Sequence, residues 1–139
     1  MKHDWFVASG GGLLSTLWLN NPLTVMLLKP TFVPNIDTQK LYADISAQEL
    51  AAGGGYTVGG QVLGTKTVNY DAAQDRTNLL SADSIWSAAT FDTAFAAIYD
   101  NSGTKPLWSL VDFEGIKSVA GGVFTIDWAT VGNLYITKA

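Results

Sequence analysis

The chain has 139 residues, the length of one ordinary domain, and its composition excludes several kinds of site. Cysteine is absent and His3 is the single histidine, which excludes thiol chemistry, cysteine-ligated metals, multi-histidine metal sites and, in practice, a histidine-based triad. Charged residues make up only 14%, the net charge is −4 and no run of Lys or Arg occurs, so we expect no nucleic-acid partner.

The first twelve residues, MKHDWFVASGGG, predict an N-terminal arm over 1–12. Trp5, Phe6 and Val7 form an apolar tip on a flexible glycine joint, which indicates a contact with a partner. The alternative is a short first strand packed on the core. No stretch of 18 apolar residues follows, so we expect no membrane partner.

Residues 13–50 carry two short apolar runs and one helix-like passage. LLSTLWL at 13–19 and LTVMLL at 23–28 are separated by Asn-Asn-Pro, which favours two short strands joined by a turn. A helix over 13–19 stays open, because its Leu and Trp residues also fit the 3.6-residue period. After the extended or looped KPTFVPN, the passage DTQKLYADISAQEL at 37–50 predicts a short helix or a pair of turns.

A cluster of six glycines follows in AAGGGYTVGGQVLG. A phosphate-binding loop requires a helix directly after the glycines, whereas here the strand-like pattern QVLGTKTVNY follows. We therefore interpret the segment as a structural turn that precedes a strand and approaches a neighbouring backbone closely. We expect any further role of this turn at a subunit contact. The predicted turn residues are Gly53, Gly54, Gly55, Gly59 and Gly60.

The chain beyond residue 60 is β-like. Predicted strands are QVLGTKTVNY, DRTNLLS after the turn YDAAQD, ATFDTAFAAIYD, PLWSLVDF, VFTIDW and LYITKA, with EGIKSVAGG predicted as a loop. Short antiparallel strands at about ten-residue spacing indicate a mainly β fold. We predict a β-sandwich or barrel with one short helix, forming a single β-rich domain over 13–139.

Candidate catalytic and metal-binding residues are few. Asp112 and Glu114 could form a glycosidase pair, but their i, i+2 spacing fits ordinary carboxylates at a strand end. Asp71, Asp75 and Asp83 lie near turns without the motif of a calcium loop, which favours turn hydrogen bonds. We predict no catalytic residues, no metal site and no cofactor, and therefore no enzyme.

Three tryptophans, Trp86, Trp108 and Trp128, suggest carbohydrate stacking as an alternative, although large aromatic residues more often serve a core or a subunit contact. Low charge together with 12% aromatic residues indicates a protein that associates with others.

Several motifs give the chain a resemblance to a known group. Taken in order, VPNIDTQKLYADI, GGGYTVGG, KTVNYDAA, AAIYD, KPLWSLVDF and GGVFTIDW resemble small proteins encoded among the structural genes of tailed bacteriophages. The resemblance covers about residues 23–137. An Arg commonly precedes the AxIYD strand in that group, whereas this chain reads FDTAFAAIYD, so a contact through that Arg is not carried over.

The resemblance implies a virion protein without a catalytic motif. We expect a decoration or cement protein on the capsid exterior, whose partners are the major capsid protein and copies of itself, with a trimer as one arrangement. One alternative is a structural or adhesion protein of the tail or of a head fibre. The other is a carbohydrate-binding or glycan-acting domain that uses Asp112, Glu114 and the tryptophans.

Overall fold

The structure is a computed structural model that describes residues 12–128 and 134–137. Its elements in chain order are α1 (Gly12–Asn20), β1 (Leu23–Leu28), α2 (Tyr42–Ile45), a 3-10 turn (Ser46–Gln48), β2 (Gln61–Val62), β3 (Thr67–Asp71), β4 (Arg76–Leu80), β5 (Ser84–Asp100), β6 (Leu107–Ile126) and β7 (Leu134–Thr137).

The chain divides into two compact units, and the first contains α1 and a three-stranded antiparallel sheet in the order β3-β4-β7. Its described residues are 12–21, 63–83, 127–128 and 134–137. The hairpin of β3 and β4 turns at Asp71, whose Oδ1 accepts hydrogen bonds from the backbone N–H groups of Ala73 and Gln74. This is the turn bond expected of an Asp at that place.

The second unit, residues 22–62 and 84–126, holds a four-stranded antiparallel sheet in the order β2-β1-β5-β6. All six residues of β1 are buried. The strand lies inside the sheet, where β5 pairs with its whole length and β2 pairs with Thr24 and Val25 on the other side. The buried core of this unit consists of Met26, Leu28, Phe32, Ile45, Ala97 and Tyr99.

The prediction of a strand over residues 13–19 is wrong, because these residues lie in the helix α1. Its Trp18 is buried, and the indole Nε1–H lies 3.2 Å from two carbonyl oxygens, those of Thr67 and Leu80. A helix places this ring against two strands of its own unit. The 3.6-residue period of the Leu and Trp residues, which supported the alternative of a helix over 13–19, therefore predicted this element correctly.

The predicted loop EGIKSVAGG is also wrong as a connection between strands, because β6 continues through it to Ile126. A bulge accounts for the loop-like composition. Thr93 and Phe95 of β5 pair with Lys117 and Asp112, so the four residues between them on β6 face a single residue of β5. Glu114 and Gly115 within the bulge have positive φ angles of 57° and 130°. Irregular backbone of this kind bends a strand without ending it.

The predicted single strand QVLGTKTVNY is wrong, because the segment forms two strands, β2 and β3, which belong to different sheets. The helix-like passage at 37–50 forms α2 and a 3-10 turn, in agreement with the expected short helix or turns.

The predicted fold class, mainly β with antiparallel sheets, is confirmed. The described strands form two open antiparallel sheets, and neither sheet closes into a barrel. The single domain over 13–139 stays a prediction.

Candidate functional site

The predicted partner contact of the N-terminal arm, Trp5, Phe6 and Val7, lies outside the described residues. The predicted turn glycines are described, and all five have φ angles between +56° and +123°. Three of them, Gly54, Gly55 and Gly60, closely approach strands of their own unit. A Cβ atom on Gly54 would lie 2.2 Å from the carbonyl oxygen of Thr90, and one on Gly60 would lie 1.9 Å from that of Val25. The close neighbours are therefore β5 and β1 of the same chain.

The residues of the carbohydrate alternative differ in their exposure. Trp86 and Trp128 are buried, which prevents either ring from stacking on a sugar, and only Trp108 is partly accessible. Asp112 and Glu114 are exposed in the β6 bulge, where the Asp112 carboxylate accepts a 2.8 Å hydrogen bond from the Glu114 N–H. This bond gives Asp112 a structural role in the bulge.

A buried carboxylate that the sequence did not single out lies at the centre of the second unit. Glu49 is only 5% exposed, and three donors surround its carboxylate. The Tyr42 hydroxyl donates to one oxygen at 2.7 Å, while the Tyr56 hydroxyl and the Gly59 N–H both donate to the other at 2.6 Å. Charge-assisted bonds of this length are strong. We call Glu49, Tyr42, Tyr56 and Gly59 the Glu49 cluster.

The Glu49 cluster ties the glycine turns to the sheet. The Tyr56 hydroxyl accepts a 3.1 Å hydrogen bond from the N–H of Leu27 in β1, and the Tyr99 hydroxyl of β5 donates to the Gly59 carbonyl at 2.6 Å. Both oxygens of the Glu49 carboxylate accept short hydrogen bonds from groups of the same chain. We therefore interpret the Glu49 cluster as a structural junction that holds these segments together.

Raising the pH above about 10, the ordinary pKa of tyrosine, is expected to destabilise the protein through ionisation of Tyr42, Tyr56 and Tyr99. Burial raises the pKa of Tyr99 to about 12. Burial and the hydrogen bond to Glu49 raise the pKa values of Tyr42 and Tyr56 further. The folded chain thus holds these protons more tightly than the unfolded chain. Their contribution to stability is complete below the unfolded pKa and is lost as the pH rises through the folded values.

Urea unfolding followed by tryptophan fluorescence at a series of alkaline pH values measures this loss. The exposed Tyr70 provides a control, because Tyr70→Phe should decline in the same way as the unchanged protein. A urea midpoint that stays constant from about pH 9 to about pH 11 would contradict the role of the buried phenols.

An apolar groove of about 240 Å³ lies on the same unit. It is formed by the loop after β1, by α2, by β5 and by the start of β6. Lys40 is the only charged residue that lines it. The lining side chains are otherwise apolar or neutral: Phe32, Ile36, Gln39, Ile45, Ala97, Leu107, Trp108, Ser109 and Leu110. A concave, mainly apolar surface with few polar groups is typical of a binding site.

The loop over residues 29–41, the apolar loop, carries the most exposed large apolar side chains of the described residues. Val33 is 75% exposed and Ile36 is 76% exposed. Internal hydrogen bonds hold the loop: the Asn35 N–H donates to the Gln39 side chain at 2.7 Å, and the Gln39 N–H donates to the Asn35 carbonyl at 2.9 Å. The two side chains are therefore presented by an ordered turn, which lowers the entropy cost of binding through them.

The sequence predicted residues 29–35 of this loop as an extended or looped connection and residues 37–41 as the start of the helix-like passage. The available signal was the placement of Val33 and Ile36 on either side of Pro34-Asn35, since turn residues between two apolar residues predict an apolar loop tip. Nothing in the sequence indicated that Trp108 and Leu110 would lie beside that loop, because the contact depends on the pairing of β6 with β5.

No group of three or more His, Asp or Glu side chains that could hold a metal ion occurs in residues 12–128 and 134–137. Within the same ranges, no helix is long and apolar enough to cross a membrane. Comparison of the chain with protein-family models, with curated proteins and with solved structures identified no match.

Proposed function

We propose that this chain is a structural protein of a tailed-bacteriophage particle, and that it binds the outer surface of the head as a decoration or cement protein. The observation that carries the proposal is the apolar loop, which exposes Val33 and Ile36 beside an apolar groove. An ordered, exposed apolar surface on a chain with few charges is suited to contact with another protein. The resemblance to phage structural proteins supplies the biological setting.

The proposed partners are the major capsid protein and further copies of this chain. A protein that binds only the assembled shell stabilises it by mass action, since the free energy of binding adds to that of the shell. Many copies on one particle multiply a modest contact, so each individual site need not be tight. The proposed role involves no catalytic step, and the buried carboxylate of Glu49 is engaged by its own chain.

Val33→Asp and Ile36→Asp are each expected to weaken binding to phage heads by at least about tenfold. Burial of a Val or Ile side chain contributes about 1.5–3 kcal/mol, and about 1.4 kcal/mol corresponds to a tenfold change in affinity. Heads purified without this protein are mixed with increasing concentrations of each variant, and bound protein is quantified after sedimentation. Neither variant should change the free energy of unfolding by more than about 0.5 kcal/mol, because both side chains are exposed.

Val123→Asp is the matched control, since Val123 is 63% exposed on β6 and undergoes the same chemical change. Equal binding by all three variants and the unchanged protein would contradict the contact through the apolar loop.

The cement role itself requires that heads carrying the protein melt at a higher temperature than heads without it. Quantification of copies per particle separates head from tail, because hundreds of copies indicate the shell, whereas three, six or twelve indicate a tail or fibre.

A further inference from the structure

The apolar groove has a buried floor and an exposed rim. Ala97 of β5 pairs directly with Leu110 of β6, and directly paired side chains share one face of a sheet. Ala97, Phe32 and Ile45 are buried, so they form the floor. Leu110 and Ile36 are 37% and 76% exposed, so they form the rim. The groove therefore presents apolar side chains from its floor to its surface, which favours an apolar occupant.

The size and charge of the groove limit what it can hold. Its volume of about 240 Å³ lies below the roughly 300–1,000 Å³ of ligand pockets, so it suits one large apolar side chain better than a small-molecule ligand. Among the described residues that line it, only Lys40 is charged. The Lys40 ammonium donates to the Ile36 carbonyl and has two further N–H groups that can donate to a carboxylate. Trp108 also lines the groove but is engaged in interactions of its own, so it is not counted as a free contact surface.

A segment of this chain has the matching chemistry. Three segments lie outside the described residues, 1–11, 129–133 and 138–139, and only the first contains an acidic or aromatic side chain. In that segment Asp4 and Phe6 are two residues apart. Side chains at this spacing face the same side of an extended segment, so the Phe6 ring and the Asp4 carboxylate can enter one site together. The ring matches the apolar floor of the groove, and the carboxylate matches its cation.

We propose that the N-terminal arm of one copy docks in the apolar groove of a second copy, with Phe6 in the groove and Asp4 paired with Lys40. This contact is heterologous, since the arm of one copy meets the groove of the next, and such contacts close into a ring where the rotation permits. One arm in one groove is a small contact, and we expect a dissociation constant of about 0.1–1 mM for it. Closure of a ring multiplies that strength. The inference does not depend on the proposed role in the virion, because it concerns the free protein.

The chain contains no cysteine, so a disulfide between two introduced cysteines tests the contact without background. Such a bond forms only when the two Cα atoms approach within about 7 Å. Full-length Val7→Cys, which keeps Asp4 and Phe6, is mixed with full-length Leu110→Cys at about 100 µM each and oxidised. Mass spectrometry of the proteolytic fragments identifies peptides linked between residues 7 and 110, and the rate of their formation is measured.

A second position on the rim and a control position complete the experiment. Ile36→Cys is too exposed to disturb the fold, and it should link to Val7→Cys as Leu110→Cys does. Val123→Cys is the matched control, because Val123 is 63% exposed on the same strand as Leu110 but does not line the groove. Both rim positions should link at least about tenfold faster than the control, since docking raises the local concentration of the arm.

Further substitutions identify the side chains that hold the arm. Phe6→Ala, added to the Val7→Cys chain, should slow the link to the rim at least about threefold. Asp4→Lys in that chain and Lys40→Asp in the other should each slow it about threefold to tenfold, whereas the two together should return the rate to within about threefold of the original. Lys117→Asp, a change of charge on β6 away from the groove, should leave the rate unchanged.

Three results would each overturn the inference. Equal linking rates at the two rim positions and at Val123 would show that the arm does not enter the groove of another copy, and this is also the result expected if a different partner fills the groove. An unchanged rate with Phe6→Ala would remove the proposed occupant. A pair of exchanged charges that links no faster than the single variants would remove the contact between Asp4 and Lys40.

Discussion

Replacement of Glu49 by Ala is expected to lower the free energy of unfolding by about 3–5 kcal/mol, a large part of the roughly 5–15 kcal/mol of a typical domain. The substitution removes the acceptor of two tyrosine hydroxyls and one backbone N–H. A buried donor without a partner costs about 1–3 kcal/mol, and Tyr56 and Gly59 lose the same oxygen. The variant should also loosen the glycine turns, because Gly59 is held by this carboxylate.

Urea unfolding at neutral pH, followed by tryptophan fluorescence, measures the loss of stability. Glu49→Gln keeps the shape and one acceptor oxygen, and it should cost less than Glu49→Ala. Tyr42→Phe removes a single hydrogen bond and should cost less again, about 1–2 kcal/mol. The exposed Glu114 is the matched control, since Glu114→Ala should change stability by less than about 1 kcal/mol. Equal effects at Glu49 and Glu114 would show that the buried junction is not a major source of stability.

The Glu49 cluster also illustrates which parts of the site could be predicted from the sequence. Glu49 is the last but one residue of the predicted helix-like passage at 37–50, where a charged residue is ordinarily solvated. Its partners lie 7 and 10 residues away along the chain, and their convergence depends on how the glycine turns fold back against β1. Local pattern identifies turns and strands, but a buried polar contact requires the three-dimensional course of the backbone.

Two of the misassigned elements have related physical causes. Residues 13–19 contain apolar residues that fit either a helix or a strand, and packing of Trp18 against its own unit accompanies the helical outcome. The segment EGIKSVAGG has the glycines of a loop, yet its Lys117–Ala120 portion pairs with β5. Glycine in a long strand accommodates a bulge as readily as it ends the strand. Short-range pattern therefore could not distinguish one bulged strand from two strands and a loop.

Gly60→Ala is expected to destabilise the fold by at least about 4 kcal/mol and to leave little folded protein at 37 °C. Gly60 has a φ of +84°, a conformation that side chains rarely adopt, and its Cβ would lie 1.9 Å from the carbonyl oxygen of Val25 and 2.9 Å from the Cα of Met26. These are backbone atoms at the centre of the buried strand β1, so they cannot move aside as the end of a side chain can. The pairing of β1 with β2 at Val25 and Gln61 would have to separate.

Gly103→Ala is the matched control for the backbone angle alone. Gly103 has a φ of +56°, and no atom lies within 4 Å of the position its Cβ would take. Its substitution should cost only the strain of the left-handed conformation, about 1–3 kcal/mol. Thermal unfolding by circular dichroism compares the two variants. The difference between them isolates the close approach of Gly60 to β1, and equal melting temperatures would mean that the turn can shift away from the strand without loss of the fold.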